Sequence, residues 1–228
     1  PHGPDLDTPE DSKQQRLEEI AEVLVRHLPR KCLFVRFDLP WTVGSPDVRK
    51  EALAVPFRRA VKDVQVPDTV ILDLRGPLEE IMAGMKAKTR YNIKLSARKG
   101  VTIRQSKSTQ PGLIEDVNLW YEMARETAAR DRITLHSKDY FIELLEMAGK
   151  SENVQSLLFF AEVEGTPVAA LIITISGTRC LYHFGASSGR HRNLMPTYAL
   201  QWEGIKRAKE AGCISYDLGG IPPSDNPN

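Results

Sequence analysis

The chain has 228 residues, with 31 basic against 30 acidic side chains and 41% hydrophobic residues. At roughly 100–200 residues per domain this is one large domain or two small ones. The apolar content and a mean hydropathy of −0.33 exclude a disordered chain, and no apolar run nears the ~18 residues of a membrane span. Three cysteines (Cys32, Cys180, Cys213) without C-x-x-C spacing argue against a disulfide framework or a cysteine-rich zinc site.

The +1 total conceals a segregation. From Ile81 to Gln110 stand eight basic residues (Lys86, Lys88, Arg90, Lys94, Arg98, Lys99, Arg104, Lys107) and no acid, so the other 198 residues sum to −7. Such asymmetry predicts a local anionic partner. The chain opens at Pro1 without a methionine and is read as an excerpt of a longer protein.

Residues 10–28 place Leu17, Ile20, Ala21, Leu24 and Leu28 at three- and four-residue steps, which predicts an amphipathic helix stopped by Pro29. Lys31–Leu39 reads as a short strand, Pro40–Pro46 as a loop, Val48–Val61 as a short helix and Thr69–Leu74 as a strand. One long helix is expected from Pro77 to Lys99, with proline tolerated in its first turn and Gly100 as its stop. Val101–Gln105 follows as a strand, then helices at Leu113–Ala129 and Lys138–Ala148, the second capped by Ser137. Val154–Val163, Pro167–Ile175 and Arg179–Phe184 form an expected antiparallel meander with turns at Glu164-Gly165 and Ser176-Gly177. A polar loop, a helix at Pro196–Ala211 and a strand at Ile214–Leu218 complete the chain.

From Val101 this order resembles a GNAT acyltransferase domain without its last helix and strand. The class is α/β (α+β), a mixed sheet flanked by helices. The first segment reads as a second copy. Gly3, a polar loop, a helix, Cys32 and a strand ending Phe37-Asp38-Leu39 parallel Gly185, a loop, a helix, Cys213 and Tyr216-Asp217-Leu218. Two tandem GNAT-like domains are therefore expected, the first incomplete. Residues 1–99 would hold its C-terminal part plus a basic linker helix, and 100–228 the second domain.

A GNAT sheet splays between its fourth and fifth strands, here Arg179–Phe184 and Ile214–Leu218. Coenzyme A-binding members hold the pyrophosphate on a glycine-rich loop at the next helix N-terminus. The corresponding GRHRNLMPTY lacks those glycines, so the usual coenzyme A site is expected to be absent.

Four segments carry a more specific likeness: MKAKTRYNIKLSARKGV (Met85–Val101), YHFGASS (Tyr182–Ser188), NLMPTYALQWEGIKRAKEAGC (Asn193–Cys213) and YDLGGIPP (Tyr216–Pro223). Together they resemble the Fem family (FemX, FemAB and MurM-type aminoacyltransferases). The resemblance implies transfer of an amino acid from aminoacyl-tRNA to the stem-peptide amine of a peptidoglycan precursor. That precursor would be lipid II or UDP-MurNAc-pentapeptide. It implies no cofactor beyond aminoacyl-tRNA as co-substrate, no metal, and a cytoplasmic location with peripheral contact at the inner membrane face. An acyl-CoA-dependent GNAT N-acyltransferase is the alternative.

Lys86, Arg90, Lys94 and Arg98 share one face of the predicted long helix and are candidate anion or tRNA contacts. The family resemblance implies a diphosphate contact at His136 and Tyr140, although arginine is common where His136 stands; packing and capping are the other readings. It also implies acceptor-facing aromatics at Tyr182 and Phe184, which alternation with His183 would place on one sheet face; Tyr198 and Tyr216 are similar candidates. Aromatic core is the alternative for each. Asp38 matches the family's strand-end aspartate and is the candidate catalytic residue, accepting the amine proton or holding the amine. Asp217 is read as tying the Gly219-Gly220 turn. No Ser/His/Asp grouping or metal spacing suggests a covalent intermediate, so direct attack is expected.

Overall fold

Helix α1, Lys13–His27, is the first element of the computed structural model, which describes residues 13–37, 56–58, 60–61, 68–107, 111–151 and 153–221. Two units emerge, Pro1–Asp68 with Pro222–Asn228, and Thr69–Ile221. In the first, α1 buries Leu17 completely while Val23 and Val25 stay exposed. Phe37 meets Phe57 edge to face at 6.3 Å between ring centres. The expected strand Lys31–Leu39 does not form over residues 32–37. Leu33 and Phe34 are exposed, and β-rich composition becomes a strand only against a pairing neighbour. The predicted loop at Pro40–Pro46 lies outside the described residues; of the predicted helix at Val48–Val61 residues 56–58, 60 and 61 are described, and none of them is helical.

The second unit is a six-stranded mixed sheet in the order β1-β6-β5-β4-β3-β2. Its strands are β1 Asp68–Asp73, β2 Thr102–Gln105, β3 Val154–Val163, β4 Thr166–Ser176, β5 Arg179–Ser187 and β6 Ser215–Ile221. Strands β2 to β5 pair antiparallel. At the β3–β4 turn Glu164 and Gly165 both take positive φ, 50° and 75°, which suits a two-residue hairpin and the right-handed twist of its strands. β6 then runs parallel to β5, which requires a crossover; α6 (Pro196–Glu210) supplies it.

Helices cover both faces, so β3 and β4 are apolar nearly throughout instead of alternating. Leu158, Phe160, Ala170 and Ile172 point to one side and pack with Val117, Trp120 and Phe141 from α4 (Gly112–Asp131) and α5 (Lys138–Lys150). Phe159, Ala161, Leu171 and Ile173 point to the other side, against Leu200, Ile205 and Ala208 of α6. Gly204 of α6 makes room for this packing, since a Cβ there would sit 2.8 Å from the Tyr216 hydroxyl oxygen.

The long helix expected from Pro77 to Lys99 is two helices, α2 (Leu78–Gly84) and α3 (Ala87–Arg98). Met85 and Lys86 are extended, with ψ of 155° and 143°. Gly84 weakens the helix just before the corner. Arg90 closes it, donating from Nη1 to the Ala83 carbonyl at 3.0 Å and to the Met85 carbonyl. Those carbonyls have lost their helical partners, so the guanidinium satisfies the corner. α3 packs against α6 within this unit.

Candidate functional site

The β5–β6 ladder has three rungs, Arg179↔Ser215, Cys180↔Tyr216 and Leu181↔Asp217. β5 continues to Ser187 and β6 to Ile221 without another rung. The two strands therefore part where the sequence predicts a splay. Tyr182 is the first β5 residue past the last rung, and its ring bridges the opening. A Cβ on Gly185 would collide with the Tyr182 hydroxyl and lie 3.0 Å from its Cζ. A Cβ on Gly219, across on β6, would lie 3.7 Å from Tyr182 Cδ1. Burial pushes the Tyr182 phenol up, which keeps it a neutral hydrogen-bonding group.

Strand alternation predicts Tyr182 and Phe184 on one face. The register overturns this: Ile172 pairs with Phe184 but Ile173 pairs with Tyr182, so His183 is an extra residue in a bulge. One extra residue inverts the alternation. Tyr182 joins the α6 side of the sheet and Phe184 the α4–α5 side.

On that second side the predicted residues do converge. His136 stacks on Tyr140 (4.4 Å, 23°), and Phe184 lies 6.2 Å from His136 and 6.3 Å from Tyr140. Ser137 caps α5 by accepting from the Tyr140 N–H at 3.3 Å, so His136 is left free of that task. Tyr140 is exposed, not core. His183 stacks on Phe184 at 4.3 Å, and its Nδ1 is 3.0 Å from Thr174 Oγ1, which is 3.0 Å from Ser156 Oγ.

Tyr216 is placed elsewhere. It is fully buried beneath α6, with its hydroxyl 3.0 Å from Gln201 Oε1, and burial raises its phenol far. Its ring packs the core, because its rung partner Cys180 lies on the covered face. Tyr198 is half-buried in the first turn of α6. Asp38 lies outside the described residues.

Asp217 accepts from the Gly219 N–H at 2.9 Å and from the Thr69 hydroxyl, which also reaches the Gly219 carbonyl at 2.7 Å. Gly219 has φ of 78°, a conformation suited to glycine. Asp217 thus ties the backbone at Gly219, as its sequence context predicts, and Thr69 of β1 joins it. The sequence holds no signal for Thr69, 148 residues away. Gly185 is likewise unmarked, since only the ring position shows why a side chain is excluded.

The basic residues divide. Lys86, Lys94 and Arg98 are exposed, and Arg98 lies 5.7 Å over the exposed Tyr91 ring. Arg90 is half-buried at the helix corner. Arg104 is neutralised. Its Nη atoms donate to Asp116 at 2.8 and 2.9 Å and its Nε to Glu162 at 2.7 Å. Burial pushes the Asp116 carboxyl up, but Arg104, Ser106 and the Lys107 N–H together override this and hold it below its usual value.

The loop after β5 is fixed to α4 by Ser187 and Thr127, whose backbone and hydroxyl groups exchange bonds at 3.0 and 3.2 Å. The Gly189 N–H donates to Glu126. Met195, the N-cap of α6, sits at φ of 57° with no side-chain cap. No described helix is long and apolar enough to cross a membrane.

A family model described as an acetyltransferase (GNAT) domain matches residues 87–226. A lipid II:glycine glycyltransferase of Staphylococcus epidermidis is 26% identical over 95 residues, 42% of this chain and 23% of the relative. One of Staphylococcus saprophyticus subsp. saprophyticus is 34% identical over 65 residues, 28% of this chain and 15% of the relative. The match thus spans less than a quarter of these relatives. The crystal structure of FemX superposes with a TM-score of 0.61 at 16% identity, covering 69% of this chain and 55% of that one; this likeness concerns the fold.

Proposed function

The chain belongs to the acetyltransferase (GNAT) domain family, and from that premise we propose that it transfers an amino acid from aminoacyl-tRNA to the stem-peptide amine of a peptidoglycan precursor. The observation that carries this reading is the open splay past Leu181↔Asp217. Tyr182 bridges it, while His136, Tyr140 and Phe184 cluster on the adjoining sheet face. A peptide and a sugar both bind well to aromatic surfaces with polar edges. The neighbouring loop lacks the glycines that a coenzyme A pyrophosphate needs, which favours another acyl donor. The curated relatives, named lipid II:glycine glycyltransferases, support the acceptor class.

A tRNA ester is already activated. The site must present a neutral amine, align it, and stabilise the tetrahedral oxyanion. Lys86, Lys94 and Arg98 are exposed on α3 or at its N-cap and would meet tRNA or precursor phosphates, Arg90 contributing from the helix corner. His136 and Tyr140 would hold the diphosphate side of the precursor, Tyr182 and Phe184 its peptide, and Tyr198 the cleft entrance. Asp38 remains the candidate for holding the amine. Residues before Asp68 would belong to a preceding GNAT-like half, and a lipid-linked acceptor would bring the protein to the inner membrane face.

The test is transfer of a radiolabelled amino acid from charged tRNA to purified lipid II or its nucleotide precursor. Label in the precursor is the expected result. Turnover of acyl-CoA with no label in any precursor overturns the reading.

A further inference from the structure

We propose that His183 is the proton acceptor of the acyl-transfer step, held in place by Thr174 and Ser156. His183 is the bulged residue of β5, two positions past the last β5–β6 rung, where the cleft opens. Strands β3, β4 and β5 each contribute one group to a chain across the sheet. Ser156 and Thr174 are register partners with oxygens 3.0 Å apart, and Thr174 Oγ1 is 3.0 Å from His183 Nδ1. If Nδ1–H donates to Thr174 and Thr174 donates to Ser156, the Nε2 lone pair is left as the base.

The surroundings keep that lone pair free. Burial lowers the imidazole pKa from its usual 6.5, and the nearby His136 lowers it further. Phe184 stacks on one face of the ring; Tyr140, beside Phe184, and Tyr121, whose hydroxyl donates to the His136 carbonyl at 3.2 Å, are further titratable groups of that cluster. A neutral imidazole in a partly buried, hydrogen-bonded place is suited to general base work near neutral pH.

The inference takes its amine acceptor from the proposed function. The amine nitrogen attacks the ester carbonyl carbon and forms the C–N bond. The proton released from nitrogen goes to His183 Nε2. As the C–O bond to the tRNA ribose breaks, His183 returns that proton to the leaving ribose oxygen. Atoms and charge balance, and the imidazole ends neutral. Thr174 and Ser156 are positioning residues that hold the ring through Nδ1.

The experiment is the pH dependence of kcat and KM for transfer from aminoacyl-tRNA to purified precursor. Wild type, His183→Gln, Thr174→Val and Thr174→Ser are compared. Wild-type kcat should fall on the acid side as His183 protonates. His183→Gln should lose about 10²-fold or more in kcat, keep KM, and lose the acid limb. Thr174→Val should displace the limb at unchanged KM, and Thr174→Ser should restore it. A His183→Gln profile matching wild type in kcat and acid limb overturns the proposal. If the acyl group comes from a thioester instead, the tRNA reading falls; an acid limb lost in His183→Gln would still support the base.

Discussion

At the scale of single residues, Gly185 and Tyr182 compete for one volume. A methyl group at position 185 would strike the Tyr182 hydroxyl and press its Cζ at 3.0 Å, and the rigid ring yields only by leaving the cleft. Gly185→Ala is therefore expected to lower kcat/KM for transfer by tenfold or more, about 1.4 kcal/mol at the transition state, with urea stability little changed. Steady-state kinetics and urea melts check it. Tyr216 is the contrasting case. Its hydroxyl bonds Gln201 in the core, so Tyr216→Phe should cost about 1 kcal/mol of stability and leave transfer intact. A fall in kcat/KM at unchanged stability would place Tyr216 in contact with substrate.

In the sequence these two tyrosines look alike, because an aromatic in a strand does not show whether it will lie within a ladder, as Tyr216 does, or past its last rung, as Tyr182 does. The meander is legible: turn residues and continuous apolar runs mark three strands to within a few positions. The bulge at His183 is not, since nothing in YHFGASS signals an extra residue, and alternation therefore misplaces Tyr182 and Phe184 together.

At the scale of elements, α4 is held to the sheet by a clamp that joins residues 12 and 58 positions from Arg104. Asp116 is buried, while the Arg104 side chain keeps about a third of its surface in water. Arg104→Met leaves the carboxylate without its cation, bonded only to near neighbours such as the Lys107 N–H, and should cost about 2 kcal/mol, below the usual loss for a deeply buried pair because of that exposure. The acid side offers a second readout. Asp116 is held below its ordinary value of 3.8, so its contribution is present above that pH and is lost as pH falls through the lowered value. Wild type should shed that contribution on acidification, and Arg104→Met should lack it; urea midpoints against pH measure both. Counting charges along the sequence places Arg104 among the free cations, because its partners are close only after folding.

α3 gives the complementary case. Lys94 and Arg98 are exposed, and Lys86 stands at its N-cap. Replacing all three by alanine should reduce the slope of log affinity for tRNA against log salt by roughly 0.7–0.9 for each phosphate that is no longer neutralised. Binding titrations at several ionic strengths measure this; an unchanged slope removes α3 from the tRNA surface. Arg90→Ala should act on stability as well, because its guanidinium serves the carbonyls at the α2–α3 corner. The corner is hidden in the sequence. Apolar and basic periodicity continue smoothly across Met85 and Lys86, and Gly84 alone hints at a stop.

At the scale of the folded unit, the sheet is unevenly fastened. β3 and β4 share ten register pairs, while β5 and β6 share three. Amides on β6 should exchange with deuterium sooner than those on β4, since fewer bonds must open. Hydrogen-exchange mass spectrometry resolves the two strands, and equal protection would mean that β6 is held chiefly by its other neighbour, β1, and the α6 packing.

The extra residue in β5 also determines how a saturation library of this strand should look. Tolerance to polar substitution follows a two-residue rhythm in an unbroken strand. Here Cys180 and Tyr182 keep one phase with the α6 side, and Phe184 and Ala186 keep the opposite phase with the α4–α5 side. The fitness profile should therefore skip a beat at position 183. Deleting His183 would remove the extra residue yet leave Tyr182 opposite Ile173 and Phe184 opposite Ile172, so every later β5 side chain would keep its layer. A single lost codon there should disturb folding less than one lost elsewhere in the strand, where all later side chains change face.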